Sequence, residues 1–214
     1  MQVEFFNGDA FKKPHAQLQK KSADLILVMP YLDQAMAERC ADLMSRRAGT
    51  EGLIIAVHDT DRNGFIAVAN RIFENTESEY FGYVAQDAFP GKQWLDLAVK
   101  TLRRQRASLL AFNDGKWKGA LAAFGLAESK WARNNYEGMF FFPDYRSHFA
   151  DVELTVLAIS QKQYCYNANA VLVEVDWDKD KTSVNSSDKA LYQLRKSDGF
   201  NRRVTSPALL DMFS

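Results

Sequence analysis

The chain has 214 residues, of which 47% are hydrophobic, and its 27 Lys plus Arg are balanced by 27 Asp plus Glu. That size and composition suit one α/β domain with an ordinary buried core. A net charge of zero argues against a general nucleic-acid binder, whose affinity rests on phosphate neutralisation.

Two local basic clusters, Lys12, Lys13, Lys20 and Lys21, and Arg103, Arg104 and Arg106, read as solvated faces. Cys40 and Cys165 form no CxxC pair, so neither a zinc site nor a disulfide framework is indicated. The opening MQVEFFNGDAFKK carries charges where a signal peptide needs an apolar run. No stretch approaches the roughly 20 apolar residues that span a bilayer. A soluble, cytoplasmic protein is expected.

Four apolar runs read as buried strands: Leu25–Met29, Leu53–Val57, Tyr80–Ala85 and Ser108–Phe112. Amphipathic stretches separate them, as in strand–helix–strand units. In DQAMAERCADLMSRRAG, Met36, Cys40, Leu43 and Met44 share one face. Asp33 is placed to cap that helix and Gly49 to end it. GFIAVANRIFEN and WLDLAVKTLRRQ give two further helices. The aromatic MFFFPDYRSH precedes a helix from about Asp151, and YCYNANAVLVEVDW reads as two strands, a hairpin or an antiparallel edge. Asp178 to Asp188 reads as a polar loop, followed by a last helix in KALYQLRKS.

Alternating strands and helices predict a mostly parallel sheet with helices on both faces and a small antiparallel portion. Ligands of such sheets bind beyond the carboxyl ends of the strands. Those ends read Pro30-Tyr31, His58-Asp59-Thr60, Gln86-Asp87 and Asn113-Asp114-Gly115, so three of the four carry an Asp. A converging acidic site follows, suited to a hard divalent cation that takes one or two carboxylates together with substrate phosphates. Asp151, at the start of a helix, reads either as a cap or as a general base.

Several segments resemble the family 2 glycosyltransferases. VMPYLDQAMAERCADLM resembles their opening strand and helix, and IIAVHDTDRNGFIAVAN a shortened second unit. FGYVAQDAFPGKQWLDLAV resembles their metal-binding strand with the Pro and Trp-Leu that follow it. FFFPDYRSHFADVELTVLAISQKQYCYNANAVLVEV resembles their acceptor-side segment. The likeness runs over roughly residues 24 to 177.

The resemblance implies a GT-A-like nucleotide-diphospho-sugar transferase fold over residues 1–214. Its nucleotide-binding half would be about 22–115 and its acceptor half about 116–177, with a C-terminal loop and helix at 178–214. It implies inverting transfer of a sugar from a nucleotide-diphosphate donor to a glycan or lipid-linked acceptor, as in surface polysaccharide biosynthesis. Pro30, Tyr31, Asp59 and Asn70 would bind the nucleotide. Asp87, with Glu174 or Asp176, would hold Mn²⁺ or Mg²⁺, and Asp151 would be the base. Trp94, Asp114, Trp117, Tyr145 and His148 would shape the sugar and acceptor pockets. A lipid-linked acceptor would bring the protein to the inner face of the membrane.

Two departures stand against this pattern. The paired metal-binding acids are reduced to Gln86-Asp87, and the late histidine is replaced by Glu174 and Asp176. They keep open a non-catalytic nucleotide-sugar-binding domain. A nucleotidyltransferase would need a Gly-rich, basic phosphate loop after the first strand, and MPYLDQ has none.

Overall fold

A computed structural model describes residues 1–8, 21–174 and 185–213. The strands are β1 (Gln2–Asn7), β2 (Lys21–Ser22), β3 (Leu25–Tyr31), β4 (Leu53–His58), β5 (Thr76–Glu77), β6 (Tyr80–Tyr83), β7 (Ala88–Pro90), β8 (Leu109–Asn113), β9 (Gly125–Glu128) and β10 (Tyr164–Glu174). The helices are α1 (Gln34–Arg47), α2 (Phe65–Glu74), α3 (Trp94–Gln105), α4 (Ser129–Arg133), α5 (Ala150–Ser160), α6 (Ser186–Ser197), α7 (Gly199–Arg202) and α8 (Pro207–Leu210).

Eight strands form one sheet in the order β1-β4-β3-β6-β9-β8-β10-β7. The β1, β4, β3 and β6 neighbours are parallel, as are β8 and β10. β9 runs antiparallel between β6 and β8, and β7 runs antiparallel on the edge beside β10. The expected mostly parallel sheet with a small antiparallel portion is therefore present. β2 and β5 form a separate two-stranded ladder.

Strand periodicity divides the core between the two faces. Leu25, Leu27 and Met29 of β3 pack with Ala37, Cys40 and Met44 of α1 and with Leu95 and Leu102 of α3. Ile26 and Val28 point to the other face, against Ile72 and Phe73 of α2, Leu154 of α5 and the aromatic residues Phe140, Phe141 and Tyr145. Both sides of β3 are buried, which is why it reads as a continuous apolar run.

The helix limits follow local chemistry. Asp33 caps α1, its Oδ1 accepting from the Met36 N–H at 2.9 Å, and Arg46 and Arg47 complement the dipole in the last turn. Gly64 precedes α2 at φ +96°, where a Cβ would lie 2.5 Å from the Arg146 carbonyl oxygen. Only glycine lets these two loops approach so closely.

Three expectations change. The segment 164–174 is one strand, not a hairpin. A register shift between Tyr166 and Val171 bends β10, so its first part pairs with β8 and its end with β7. The expected loop ends earlier than Asp188, because the Asn185 side chain accepts from the Ser187 and Asp188 N–H groups and starts α6 there. Its remainder, 178–184, lies outside the described residues, as do Lys12, Lys13, Lys20 and Asp176. Strands β1, β7 and β9 were not anticipated. β1 is a half-exposed edge with a mixed pattern, and β7 and β9 have 3 and 4 residues.

Candidate active site

Two adjoining cavities lie beyond the carboxyl ends of the strands. The smaller, about 420 Å³, is lined by Pro30 and Tyr31 at the end of β3 with Leu32 beyond it, and by Asp59, Arg62 and Gly64 after β4. Ala85, Gln86 and Asp87 after β6 complete its floor, with Arg146 and Glu174 at its side. The larger, about 780 Å³, is lined by Tyr83, Lys116, Trp117, Leu121, Phe124, Phe141, His148, Phe149 and Asp151, among others. Phe65, Ala85, Ser147 and Glu174 line both. The two spaces therefore form one cleft with Asp87 in one lobe and Asp151 in the other. A further cavity, about 590 Å³, opens at the opposite, amino-terminal ends of β3 and β4 around Glu51 and Arg103, away from these acids.

The acidic pair of the smaller lobe is built by the sheet edge. Glu174, the last residue of β10, pairs with Ala88 across the antiparallel ladder, so Asp87 is the next residue beyond that pairing. Cys40 lies behind it. The thiol donates to the Ala88 carbonyl at 3.1 Å, and burial, with the Asp87 charge adding, pushes it up to about 12. Among the described residues no three His, Cys, Asp or Glu side chains cluster as a metal set. Mg²⁺ and Mn²⁺ commonly take one or two carboxylates and draw further oxygens from substrate phosphates; Asp87 and Glu174 both line this lobe.

Gln86 stands where the resemblance expects a second acid. Its Oε1 accepts from the Leu32 N–H at 2.8 Å and the Asp33 N–H at 3.0 Å. The amide thus ties the end of β6 to the start of α1. Tyr31 stacks on His58 with centroids 5.0 Å apart and planes 7° apart, and its hydroxyl donates to Gln34. Asp59 lines the lobe, but its carboxylate also organises the loop behind it. Oδ1 accepts from the Asn63 N–H at 2.9 Å and Oδ2 from the Gly64 N–H at 2.8 Å.

In the larger lobe Asp151 stands in the first turn of α5, whose N-cap is Phe149 in the left-handed region. Asp151 is therefore not the cap itself. Burial raises the Tyr83 phenol well above its usual value, and the Asp151 charge adds to that. Trp117 is 37% exposed at the rim, with the Lys116 ammonium 5.5 Å from its ring centroid. His148 Nδ1 is buried without a hydrogen-bond partner.

The other expected site residues lie elsewhere. Trp94 is fully buried in α3, packs on Phe112 and donates its indole N–H to the Met44 carbonyl. It is core, not a sugar platform. Asn70 clips the aromatic segment, donating to the Phe141 carbonyl and accepting from the Phe140 and Phe141 N–H groups. Tyr145 is buried and donates to Glu153 at 3.0 Å. Asp114 is buried, and its Oδ1 accepts from the Lys116 and Trp117 N–H groups, so it shapes the loop that carries Trp117 without lining either lobe.

Residues not singled out from the sequence hold the site together. Asp188 of α6 accepts from the Arg146 N–H through Oδ1 and from the Ser147 and His148 N–H groups through Oδ2, each at 2.9 Å. Seven residues on, Arg195 makes a bidentate pair with Glu153 of α5, both contacts being 2.6 Å, and its guanidinium lies 3.3 Å from the Phe142 ring centroid. Arg62 and Arg146 join the two loops, the Arg146 guanidinium donating to the Arg62 carbonyl at 3.0 Å. A cation just past an apolar strand end, in DTDRNG, was the available signal for Arg62. Nothing in the sequence marked Asp188.

No protein-family model and no curated protein sequence matches the chain. Solved structures do. TarS 1-349 from S. aureus superposes with a TM-score of 0.61 at 11% identity, over 89% of this chain and 70% of that one. Its complex with UDP-GlcNAc gives 0.58 at 10% identity, over 84% and 67%. A longer TarS chain is covered over only 40% of its length. The mannosyltransferase PcManGT from Pyrobaculum calidifontis, in complex with GDP-Man and Mn²⁺, gives 0.58 at 14% identity, over 88% and 68%. The chain has the fold of these glycosyltransferases: a mixed α/β, GT-A-like fold with a mostly parallel sheet and some antiparallel strands. Among the described residues, no helix is long and apolar enough to cross a membrane.

Proposed function

We propose that the protein is a glycosyltransferase of family 2 type that moves a sugar from a nucleotide-diphosphate donor to a hydroxyl acceptor with inversion. The observation that carries this is the single cleft that has Asp87 and Glu174 in one lobe and Asp151 in the other. The likeness to transferases whose structures contain UDP-GlcNAc or GDP-Man agrees with it.

In this reading residues of about 22–115 supply the donor side and about 116–177 the acceptor side of one domain. Pro30, Tyr31 and Asp59 flank the nucleotide. Asp87 and Glu174 would hold Mn²⁺ or Mg²⁺, and a bound cation would offset the charge that builds on the departing diphosphate. The acceptor occupies the larger lobe, against Trp117 and near His148. Its oxygen attacks the anomeric carbon from the face opposite the diphosphate. The carbon–phosphate-oxygen bond breaks, the nucleoside diphosphate leaves, and Asp151 takes the acceptor proton. A glycan or lipid-linked acceptor, as in surface polysaccharide synthesis, would fit this lobe, and the lipid-linked kind would place the protein at the inner face of a membrane.

The test is calorimetric titration of UDP-, GDP- and dTDP-sugars with Mn²⁺, followed by donor turnover. Asp151→Asn should keep donor affinity and lose about 10²- to 10⁴-fold in transfer, the usual size of a general-base contribution. Asp87→Asn should weaken donor binding in Mn²⁺. Wild-type turnover in Asp151→Asn would sink the assignment. One observation favours a second reading: Gln86 replaces an acid and spends its amide on α1. Donor binding without turnover on any acceptor would make the protein a non-catalytic nucleotide-sugar-binding domain.

A further inference from the structure

We infer that Arg62 and Arg146 form a diphosphate-binding pair that grips the donor's leaving group without requiring a divalent cation. The inference rests on the donor-site reading above and assigns it two residues that neither the resemblance nor the acidic pattern supplied.

Both guanidinium-bearing residues line the smaller lobe, as Asp59, Asp87 and Glu174 do. Their backbones are fixed from independent directions. Arg62 has φ 55°, and its N–H donates to the Asp59 carbonyl at 3.1 Å, while Asp59 Oδ1 and Oδ2 hold the next two amides. The Arg146 N–H donates to Asp188, and its carbonyl accepts from the Ile66 N–H at 3.3 Å. The Arg146 side chain then ties to the Arg62 carbonyl. Two loops from distant parts of the chain are thus locked together so that their cations share one cavity.

Both arginines are exposed at the cleft. Among the described residues the ion pairs engage Arg46, Lys100, Arg103, Arg195, Lys196 and Arg202, and neither Arg62 nor Arg146. Asp59, Asp87 and Glu174 line the same lobe, so an anion of charge two or more is held there through direct, charge-assisted contact with the two guanidinium groups. Guanidinium forks match phosphate oxygens in geometry. The pair also suits this chain's reduced carboxylate set: where Gln86 is diverted to α1, fixed positive charge at the diphosphate supplies stabilisation that one acid fewer can recruit through a metal.

The test uses inorganic pyrophosphate and UDP as probes, titrated calorimetrically in EDTA. Wild-type protein should bind both. Arg62→Gln and Arg146→Gln should each weaken pyrophosphate by about tenfold, as expected for losing a charge-assisted hydrogen bond to an anion. Arg146→Lys, which keeps the charge and loses the fork, should fall between. Arg103→Gln, at the opposite end of the sheet, should bind as wild type. Thermal melts check that each variant is folded. No pyrophosphate binding in EDTA, or equal affinity in wild type and both Gln variants, overturns the inference. Pyrophosphate binding that obeys these variants while no nucleotide sugar binds would uphold the anion site and refute the glycosyltransferase reading instead.

Discussion

Replacing Glu153 by Gln should destabilise the protein by about 3 kcal/mol, at the low end of the cost of removing one partner from a buried ion pair. Glu153 is 0% and Arg195 8% exposed, and two contacts of 2.6 Å join them. The glutamine removes the charge and turns an N–H₂ toward a guanidinium that can only donate. Arg195 would keep its stacking on Phe142, and its slight exposure offers a partial route to water, so the lower figure is the better one. With a urea slope of about 2–3 kcal/mol/M for a chain of this size, the midpoint should fall by about 1 M or more. The double variant Glu153→Leu/Arg195→Met should recover most of the loss, because it leaves no buried charge behind. Urea unfolding followed by circular dichroism measures all three. A single variant within about 0.5 kcal/mol of wild type would show that the pair does not hold α6 to α5, and the reasoning would fail.

Two further outcomes follow from the packing. Burial pushes the Cys40 and Cys165 thiols up to about 12, so a disulfide reagent at pH 8 should leave both unmodified in native protein and label both in urea. Their folded values lie above the ordinary 9.0, so their contribution to stability is full below about pH 9 and is lost as pH rises toward about 12; fast native labelling would contradict this. Gly64→Ala should cost about 2 kcal/mol or more, from the positive φ and from the Cβ placed 2.5 Å from the Arg146 carbonyl. Its donor affinity should fall with stability as the two loops part, and a neutral variant would mean that they separate freely.

The central helices and strands were legible because each carries its own period. Trp94–Gln105 is helical over the segment read from WLDLAVKTLRRQ, and Asp33 caps as its position suggested. The short antiparallel strands were not, since three or four residues carry no period and owe their state to the neighbours they pair with. The acids at strand ends were visible, but their duties were not. Asp59, Asp87 and Asp114 look alike in sequence, yet Asp114 turns inward to three loop amides while Asp87 lines the cleft. An aromatic or amide side chain gives no local hint of which face of a later-formed sheet it will meet, so Trp94, Asn70 and Tyr145 could not be separated from Trp117 and His148. The ties from α6 depend on contacts about 40 residues apart, beyond the reach of any local pattern.

Those ties give the cleft an order of assembly. Asp59, Asp87, Asp151 and Glu174 have all been synthesised once residue 174 is added, and so have both lobes' described walls. The carboxylate that gathers the 146–148 amides and the guanidinium that meets Glu153 come only with residues 188 and 195. The nascent chain therefore carries its candidate chemistry for some twenty residues before it holds the means to arrange it.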